Sequence, residues 1–410
     1  MPPPAFLHGF AKPTNERFIT IVRADGAAVF DADGRRYVDG LASLWYCQVG
    51  HGRREIIDAI TAQLGVLDAF QTFELFTNEP ADALCERLVA LAPLPNARVF
   101  LTSSGSEAVD SALKLIRAAS ICRGEPDRQV VIARNHAYHG VTYGGMTLQG
   151  LVPNRTGFGP LVPDVVHVDH DHVDAVAKAI AEVGTNRVAA VIAEPVLGAG
   201  GVRPPTEHYL HDLRELCDRT GALLVLDEVI CGFGRLGGWW GANRYDVVPD
   251  LITFAKGVTS GYQPLGGVLV GEKVLDALSS DPAFVLRHGH TYSGHPAACA
   301  AALANLDLLA SDSLLPTGAA RIASSLGVGL QGLADAGLLA EARGEGGMWG
   351  AGLHPHHSAP AVRDALLERG VIARPIFEHT IAFCPPLITA ETDLQHCVDA
   401  LADSLRSLPA

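Results

Sequence analysis

Apolar residues in this chain gather into short unbroken runs more often than they alternate with polar ones. Val99-Phe100-Leu101, Val130-Val131-Ile132, Val188-Ala189-Ala190-Val191-Ile192, Leu223 to Leu226, Leu251 to Phe254 and Val268-Leu269-Val270 are such runs. Runs of this length predict strands covered on both faces, as in a mostly parallel sheet between helices. The stretches between them, such as His208 to Thr220, carry helical spacing, so strand and helix alternate from about Gly50 onward. Upstream, Ala28-Val29-Phe30 and Tyr37-Val38-Asp39 flank a glycine turn at Asp31 to Arg35 and predict a hairpin. After His295-Pro296 a long alanine- and leucine-rich helix is expected over Ala297 to Leu309. The chain then turns glycine-rich around Gly344 to Gly352, helical again, and apolar at Ile381-Ala382-Phe383. This is an α/β pattern. We read residues 1–50 as an N-terminal segment contributing to a small domain, 51–300 as a large domain, and 301–410 as a C-terminal small α+β domain.

A chain of 410 residues suits two domains better than one core, and 48% hydrophobic residues can fill both. The formal net charge is −14 with no basic block, which makes nucleic acid and anionic membrane surfaces poor partners. The opening Met1-Pro2-Pro3-Pro4-Ala5-Phe6 lacks a signal-peptide pattern, and no run reaches transmembrane length. Eight cysteines are scattered without a Cys-x-x-Cys pair, as expected of buried or bystander thiols in a reducing cytoplasm.

The chemistry starts at Lys256. It brings an ammonium to the end of the apolar run Leu251 to Ala255, just before Gly257. A cation at the edge of a buried strand needs a partner or a task. Lysine suits a Schiff base with a carbonyl, because desolvation lowers its proton affinity and frees the amine to attack. Asp227 ends a second run, Ala222 to Leu226. An aspartate to hold a pyridinium proton and a lysine to hold the aldehyde are the two protein groups that pyridoxal phosphate requires.

Other segments admit two readings each. Thr102-Ser103-Ser104-Gly105-Ser106-Glu107 follows a predicted strand and opens a helix whose apolar stripe is Val109, Ala112, Leu113 and Ile116. It is either an ordinary cap, with Ser104 and Glu107 at capping-box spacing, or a phosphate cradle at Gly105 and Ser106. Tyr138, in Ala137-Tyr138-His139-Gly140, either lies flat against a planar ring or is a half-buried tyrosine. Cys231 to Gly237 contains a G-x-G-x-x-G pattern, but Gly238-Trp239-Trp240-Gly241 follows where a dinucleotide-binding helix should open. His167 to His172 reads as a solvated loop in which Asp171 or Asp174 caps the next helix, and His354 to His357 as a surface loop. No metal site is expected in either. Gly289 to Pro296 is a helix-entry turn whose hydroxyls could reach a phosphate. Arg374 precedes Pro375, which suggests an irregular, exposed turn; its guanidinium either clamps a carboxylate or is a surface charge.

Together these motifs resemble the class III aminotransferases of the pyridoxal-phosphate fold-type I superfamily. The likeness runs from His8-Gly9-Phe10 to Cys384-Pro385-Pro386-Leu387-Ile388-Thr389. It is strongest in Leu226-Asp227-Glu228-Val229-Ile230-Cys231-Gly232-Phe233-Gly234-Arg235 and Phe254-Ala255-Lys256-Gly257-Val258-Thr259-Ser260-Gly261-Tyr262. Gly40 to Trp45, Tyr138 to Val141 and the Arg374 segment are similar to the ω-amino acid or amine:pyruvate branch.

The resemblance implies a large domain with a mostly parallel seven-stranded sheet between helices, a smaller α+β domain, and pyridoxal 5′-phosphate as cofactor. It implies that Lys256 carries the cofactor and then acts as general base, while Asp227 keeps the ring nitrogen protonated. Ser104, Gly105 and Ser106 would hold the phosphate, with Thr291 reaching it from a neighbouring subunit. Tyr138, His139 and Val229 would also bind the cofactor, Tyr138 on one ring face and Val229 on the other. Phe10, Trp45, Phe73, Tyr138 and Ala199 would shape the substrate pocket, and Arg374 would meet carboxylates. A homodimer with shared sites, or a dimer of dimers, is implied too. The expected reaction moves an amino group from a small amine donor to pyruvate or another 2-oxo acid by ping-pong kinetics. A related aminomutase or dialkylglycine-type decarboxylase is the neighbouring alternative, and a catalytically silent binding homologue the alternative from another class. Ala199 stands where the ornithine and γ-aminobutyrate branches have a glutamate, which leaves Arg374 freer to swing. Val109 stands where the family usually has asparagine.

Overall fold

The computed structural model describes residues 5–408, so the ends of the 1–50 and 301–410 segments, residues 1–4 and 409–410, lie outside the described residues. The N-terminal hairpin forms from β2 (Ala28–Asp31) and β3 (Arg36–Asp39), with β1 (Ile21–Asp25) added on its outer edge. The Asp31 carboxylate closes the turn by accepting from the Asp33 and Arg35 amides and from the Tyr37 hydroxyl.

The central sheet has seven strands, β4 (Arg98–Thr102), β5 (Val130–Arg134), β6 (Val165–Val168), β7 (Val188–Ala193), β8 (Leu223–Asp227), β9 (Leu251–Phe254) and β10 (Gly266–Val270). Their order is β4-β10-β9-β8-β7-β5-β6. Only β10 runs against its neighbours; the others share one direction. Side-chain alternation splits each strand between two cores. In β8, Leu223 and Val225 pack on the helix Gly105–Cys122, whereas Leu224 and Leu226 join the core that holds the helix Tyr209–Thr220. Burial on both faces is why these strands are unbroken apolar runs. β6, at the sheet edge, takes up His167 and Val168, so that stretch begins as a strand rather than a loop. Neither Asp171 nor Asp174 caps the helix Val173–Val183, whose first turn has no side-chain cap.

The predicted long helix runs from Pro296 to Ser311 and packs on the helices Arg54–Leu64 and Glu79–Leu91. Beyond it, β11 (Glu341–Glu345), β12 (Met348–Gly352), β14 (Arg374–Ile376) and β15 (Thr380–Phe383) build an antiparallel sheet in the order β11-β12-β15-β14. The short β13 (Val371–Ile372) instead pairs in parallel with β3, placing Ile372 opposite Asp39. The N-terminal hairpin and a C-terminal segment therefore share one sheet. No single helix among the described residues is long and apolar enough to cross a membrane. All eight cysteines are free thiols, and none is fully exposed.

Candidate active site

A cavity of about 440 Å³ opens where the parallel strands end. This is where an open α/β sheet offers a crevice, because each loop leaving a strand's C-terminal end contributes side chains there. The ends of β4, β5, β7, β8 and β9 and the loops after them supply Ser104 to Ser106, Tyr138 to Gly140, Glu194, Asp227, Val229 and Ile230, and Lys256. Phe10, Leu44, Trp45 and the segment Arg374 to Phe377 close the opposite side.

Asp227, at the end of β8, is buried and fixed from two directions. Its Oδ2 lies 2.7 Å from His139 Nδ1, and its Oδ1 accepts the Val229 amide at 3.1 Å. Lys256 follows β9, the parallel neighbour of β8, with Asp227 in register with Thr253. Its backbone takes a φ of +48°, a left-handed conformation that costs a residue with a Cβ about 1–2 kcal/mol. Such strain persists where the surroundings over-determine it, commonly at functional sites. Burial pushes the Lys256 amine below its ordinary proton affinity, although the Asp227 and Glu194 carboxylates pull the other way.

The third part is the N-terminus of the helix Gly105–Cys122. Ser104 caps it by accepting the Glu107 amide at 3.2 Å, and Glu107 reaches back to the Ser103 amide at 2.7 Å. At Gly105 a Cβ would stand 2.9 Å from Val229 Cγ1, so only glycine lets the helix start sit against that wall. The Ser106 hydroxyl accepts the Val141 amide at 3.0 Å, tying the helix start to the loop after Tyr138. Free N–H groups at the end of a long helix form a site for an anion.

Tyr138 is half-buried, its hydroxyl pushed up in pKa by burial and pulled back by nearby Arg374. Arg374 corrects the expectation of an irregular exposed turn. It is half-buried, opens β14 opposite Ala382 of β15, and lines the cavity. Proline at the next position is tolerated because β14 lies at the edge of its sheet. Burial pushes the Arg374 guanidinium down in pKa, with Tyr138 opposing.

Ser104, Gly105, Ser106, Tyr138, His139, Asp227, Val229, Lys256, Phe10, Trp45, Ala199 and Arg374 thus all border one cavity, and so does Val109. Phe73 and Thr291 do not. Both are exposed, and the Phe73 ring lies against Gly289, beside the Thr291 segment and away from the cavity of its own chain. The remaining readings resolve simply. No helix opens at Gly237; the next one covers only Gly241–Arg244. His357 is turned inward instead of lying on the surface. Among the described residues no group of three or more His, Cys, Asp or Glu is arranged to hold a metal.

Sequence reasoning missed Glu194. It is buried, borders the cavity, and accepts the Tyr138 amide at 3.0 Å and the Gly198 amide at 2.9 Å. Burial pushes its carboxyl pKa up. The signal was there: Glu194 ends the run Val188 to Ala193 as Asp227 ends its own. Leu44, Ile230, Asn154 and Phe377 were also missed, and they come from turns and four-residue helices too short to carry a pattern.

Residues 10–405 match the aminotransferase class-III family. The β-alanine–pyruvate aminotransferase of Pseudomonas aeruginosa is 36% identical over 415 residues, covering 95% of this chain and 92% of that protein. The putrescine–pyruvate aminotransferase of the same organism is 38% identical over 354 residues, covering 82% and 77%. Among solved structures, an amine transaminase from an uncultivated Pseudomonas species in its PLP-bound form superposes with a TM-score of 0.93. It is 35% identical and covers 98% of each chain.

Proposed function

The chain belongs to the class III aminotransferases, and from that premise we propose that it transfers an amino group from an ω-amino acid or primary amine to pyruvate or another 2-oxo acid. Class III aminotransferases depend on pyridoxal phosphate. One observation carries the reading: Lys256, Asp227 and the Gly105 helix start, from three separate strand ends, border a single cavity.

The donor set fits that cofactor. A buried carboxylate held by two hydrogen bonds suits the ring nitrogen, and an amine with lowered proton affinity suits the aldehyde. A glycine-lined helix start suits the phosphate. When bound, pyridoxal phosphate supplies an aldehyde for the substrate amine and a ring that accepts the charge left when a carbon loses its proton. In this chain Asp227 holds the ring-nitrogen proton, with His139 and the Val229 amide fixing the carboxylate's direction. Lys256 Nζ moves a proton to and from the substrate carbon as general base. Ser104 to Ser106 would hold the phosphate, and Tyr138 and Val229 would hold the ring between them. Phe10, Trp45 and Ala199 shape the donor pocket, and Arg374 binds carboxylates. A donor and a 2-oxo acid that use one pocket in turn give ping-pong kinetics.

We further assign a homodimer in which Phe73 and Thr291 serve the other protomer's cavity. The reading is supported by their exposure and by the exposed apolar side chains Val66, Phe70, Leu75, Phe76 and Tyr292. The cytoplasm is the proposed location, because eight free thiols suit a reducing compartment. The test mixes purified protein with a panel of donors and pyruvate and assays alanine. Alanine should form, and Lys256→Ala should abolish both it and the visible absorbance of bound cofactor. Release of CO₂ or an isomerised donor, with no alanine from any donor, would overturn the aminotransferase assignment.

A further inference from the structure

Leu44 and Trp45 stand on a turn with unusual backbone. Ala42, Ser43 and Trp45 have φ values of +48°, +58° and +68°, and none of them is glycine. Three residues with a Cβ in the left-handed region, within four positions, persist only where neighbours over-determine them.

The restraints converge on Asp39. Its side chain is buried at the end of β3, where Oδ2 accepts the Ser43 amide at 2.7 Å and lies 3.1 Å from His51 Nε2. Its Oδ1 accepts the Leu41 amide at 3.3 Å. His51 is oriented in turn by the Cys47 thiol, with Sγ 3.7 Å from Nδ1. Burial pushes that thiol's pKa up, so it stands beside the ring as a neutral thiol. Cysteine, histidine and aspartate stand here in the order of a nucleophilic relay, but Cys47 is buried and does not border the cavity. The chain of bonds therefore orients groups and attacks nothing. The turn is tied at both ends as well: the Cys384 amide donates to Gly40 O at 2.7 Å, and the Ser43 hydroxyl bonds the Tyr46 hydroxyl.

Asp39 also sits opposite Ile372, two residues before Arg374. The two segments on this side of the cavity, Leu44–Trp45 and Arg374–Phe377, thus hang from one pair of strands. We propose that Asp39 is a positioning residue for donor specificity: its buried carboxylate holds the left-handed turn that sets Leu44 and Trp45 at their distance from Arg374. The inference rests on the aminotransferase reading of this cavity.

The test uses Asp39→Asn in the holoenzyme. A carboxamide has one acceptor oxygen, so in either orientation it turns an NH₂ toward at least one of the three donors. Hydrogen exchange in the peptide spanning 40–47 should accelerate roughly tenfold or more. In the donor half-reaction, kcat/KM for 1-phenylethylamine should fall about tenfold, mainly through KM, while L-alanine changes less than about threefold. The absorbance of bound cofactor should stay unchanged. If Asp39→Asn does not fold, His51→Ala removes one arm only and should shift the donor ratio the same way, by about threefold. A donor ratio equal to that of the parent overturns the proposal even where exchange is faster, and so does unchanged exchange. The exchange measurement needs no substrate, so it reports on the clamp even if the parent transfers no amino group.

Discussion

Glu228 offers a direct test of how burial sets charge beside the cavity. Its side chain is fully buried next to Asp227 and accepts the Gly241 amide and, at 2.8 Å, the Ala242 amide. Desolvation pushes its carboxyl from an ordinary 4.5 to about 7, against those two bonds. At about 1.4 kcal/mol per tenfold change in proton affinity, that difference is worth about 3 kcal/mol. The folded chain keeps this proton over a range in which the unfolded chain has released it. The stabilising contribution is therefore complete below about pH 4.5 and is lost as pH rises to about 7. Glu228→Gln places an uncharged group of the same shape there. At pH 5 the variant should be the weaker by about 1–3 kcal/mol, since its carboxamide turns an NH₂ toward one of the two amides while the neutral carboxyl keeps a lone pair for each. At pH 8 only the parent carries the buried charge, and the variant's stability relative to the parent should have risen by about 2–3 kcal/mol from its pH 5 value. Urea unfolding of cofactor-free protein at matched concentrations measures this, because any assembly term cancels between the two. An offset independent of pH would refute the reasoning and give the two amide bonds the larger share.

Lys256→Met should respond to pH in the opposite sense. Burial lowers the amine's proton affinity, so the unfolded chain binds the proton more tightly and stability rises with pH toward 10.5; the variant's melting temperature should lack that rise, and parallel pH profiles would sink the idea. Asp250→Ala leaves the buried Leu224 amide without its side-chain acceptor at 2.8 Å and removes one of two carboxylates from Arg214 and Lys273, which lie 2.9 and 3.2 Å from it and keep Asp218. Its urea midpoint should fall by the equivalent of about 1–3 kcal/mol with little change in kcat, and a loss under about 0.5 kcal/mol would count against the network. Arg374→Ala should cost β-alanine roughly 10- to 100-fold in the donor half-reaction and 1-phenylethylamine far less, measured by stopped-flow absorbance; equal losses would remove its selective role.

The central sheet was legible because strands buried on both faces must be apolar throughout, and Val130-Val131-Ile132 or Leu223 to Leu226 can hardly be read otherwise. The C-terminal sheet was not, because Trp349-Gly350-Ala351-Gly352 and Glu341 to Glu345 offer no such run. Nor does hydrophobic pattern carry strand direction, so the reversal of β10 could not be read from Val268-Leu269-Val270. Asp227 and Lys256 stood out as charges at the ends of apolar runs. Glu194 met the same criterion and went unread because no cofactor atom was waiting for it, only two backbone amides. Arg374 misled because proline usually breaks a strand, yet at a sheet edge it does not. Phe73 and Thr291 lie outside their own cavity, so no pattern within one chain can place them at a site.

The position of Asp227 follows from strand parity more than from its own chemistry. It continues the Leu223–Val225 face of β8, the face covered by the helix that begins at Gly105. A residue one step earlier or later would face the other core, against the helix Tyr209–Thr220. The same alternation that fills two hydrophobic cores therefore brings the carboxylate to the side where the helix start aims its N–H groups. β9, in register beside β8, delivers Lys256 to that opening after one further residue, Ala255, and a left-handed step. The apolar pattern thus does more than stabilise the sheet: it sets which charge faces which, before any side chain in the cavity has acted.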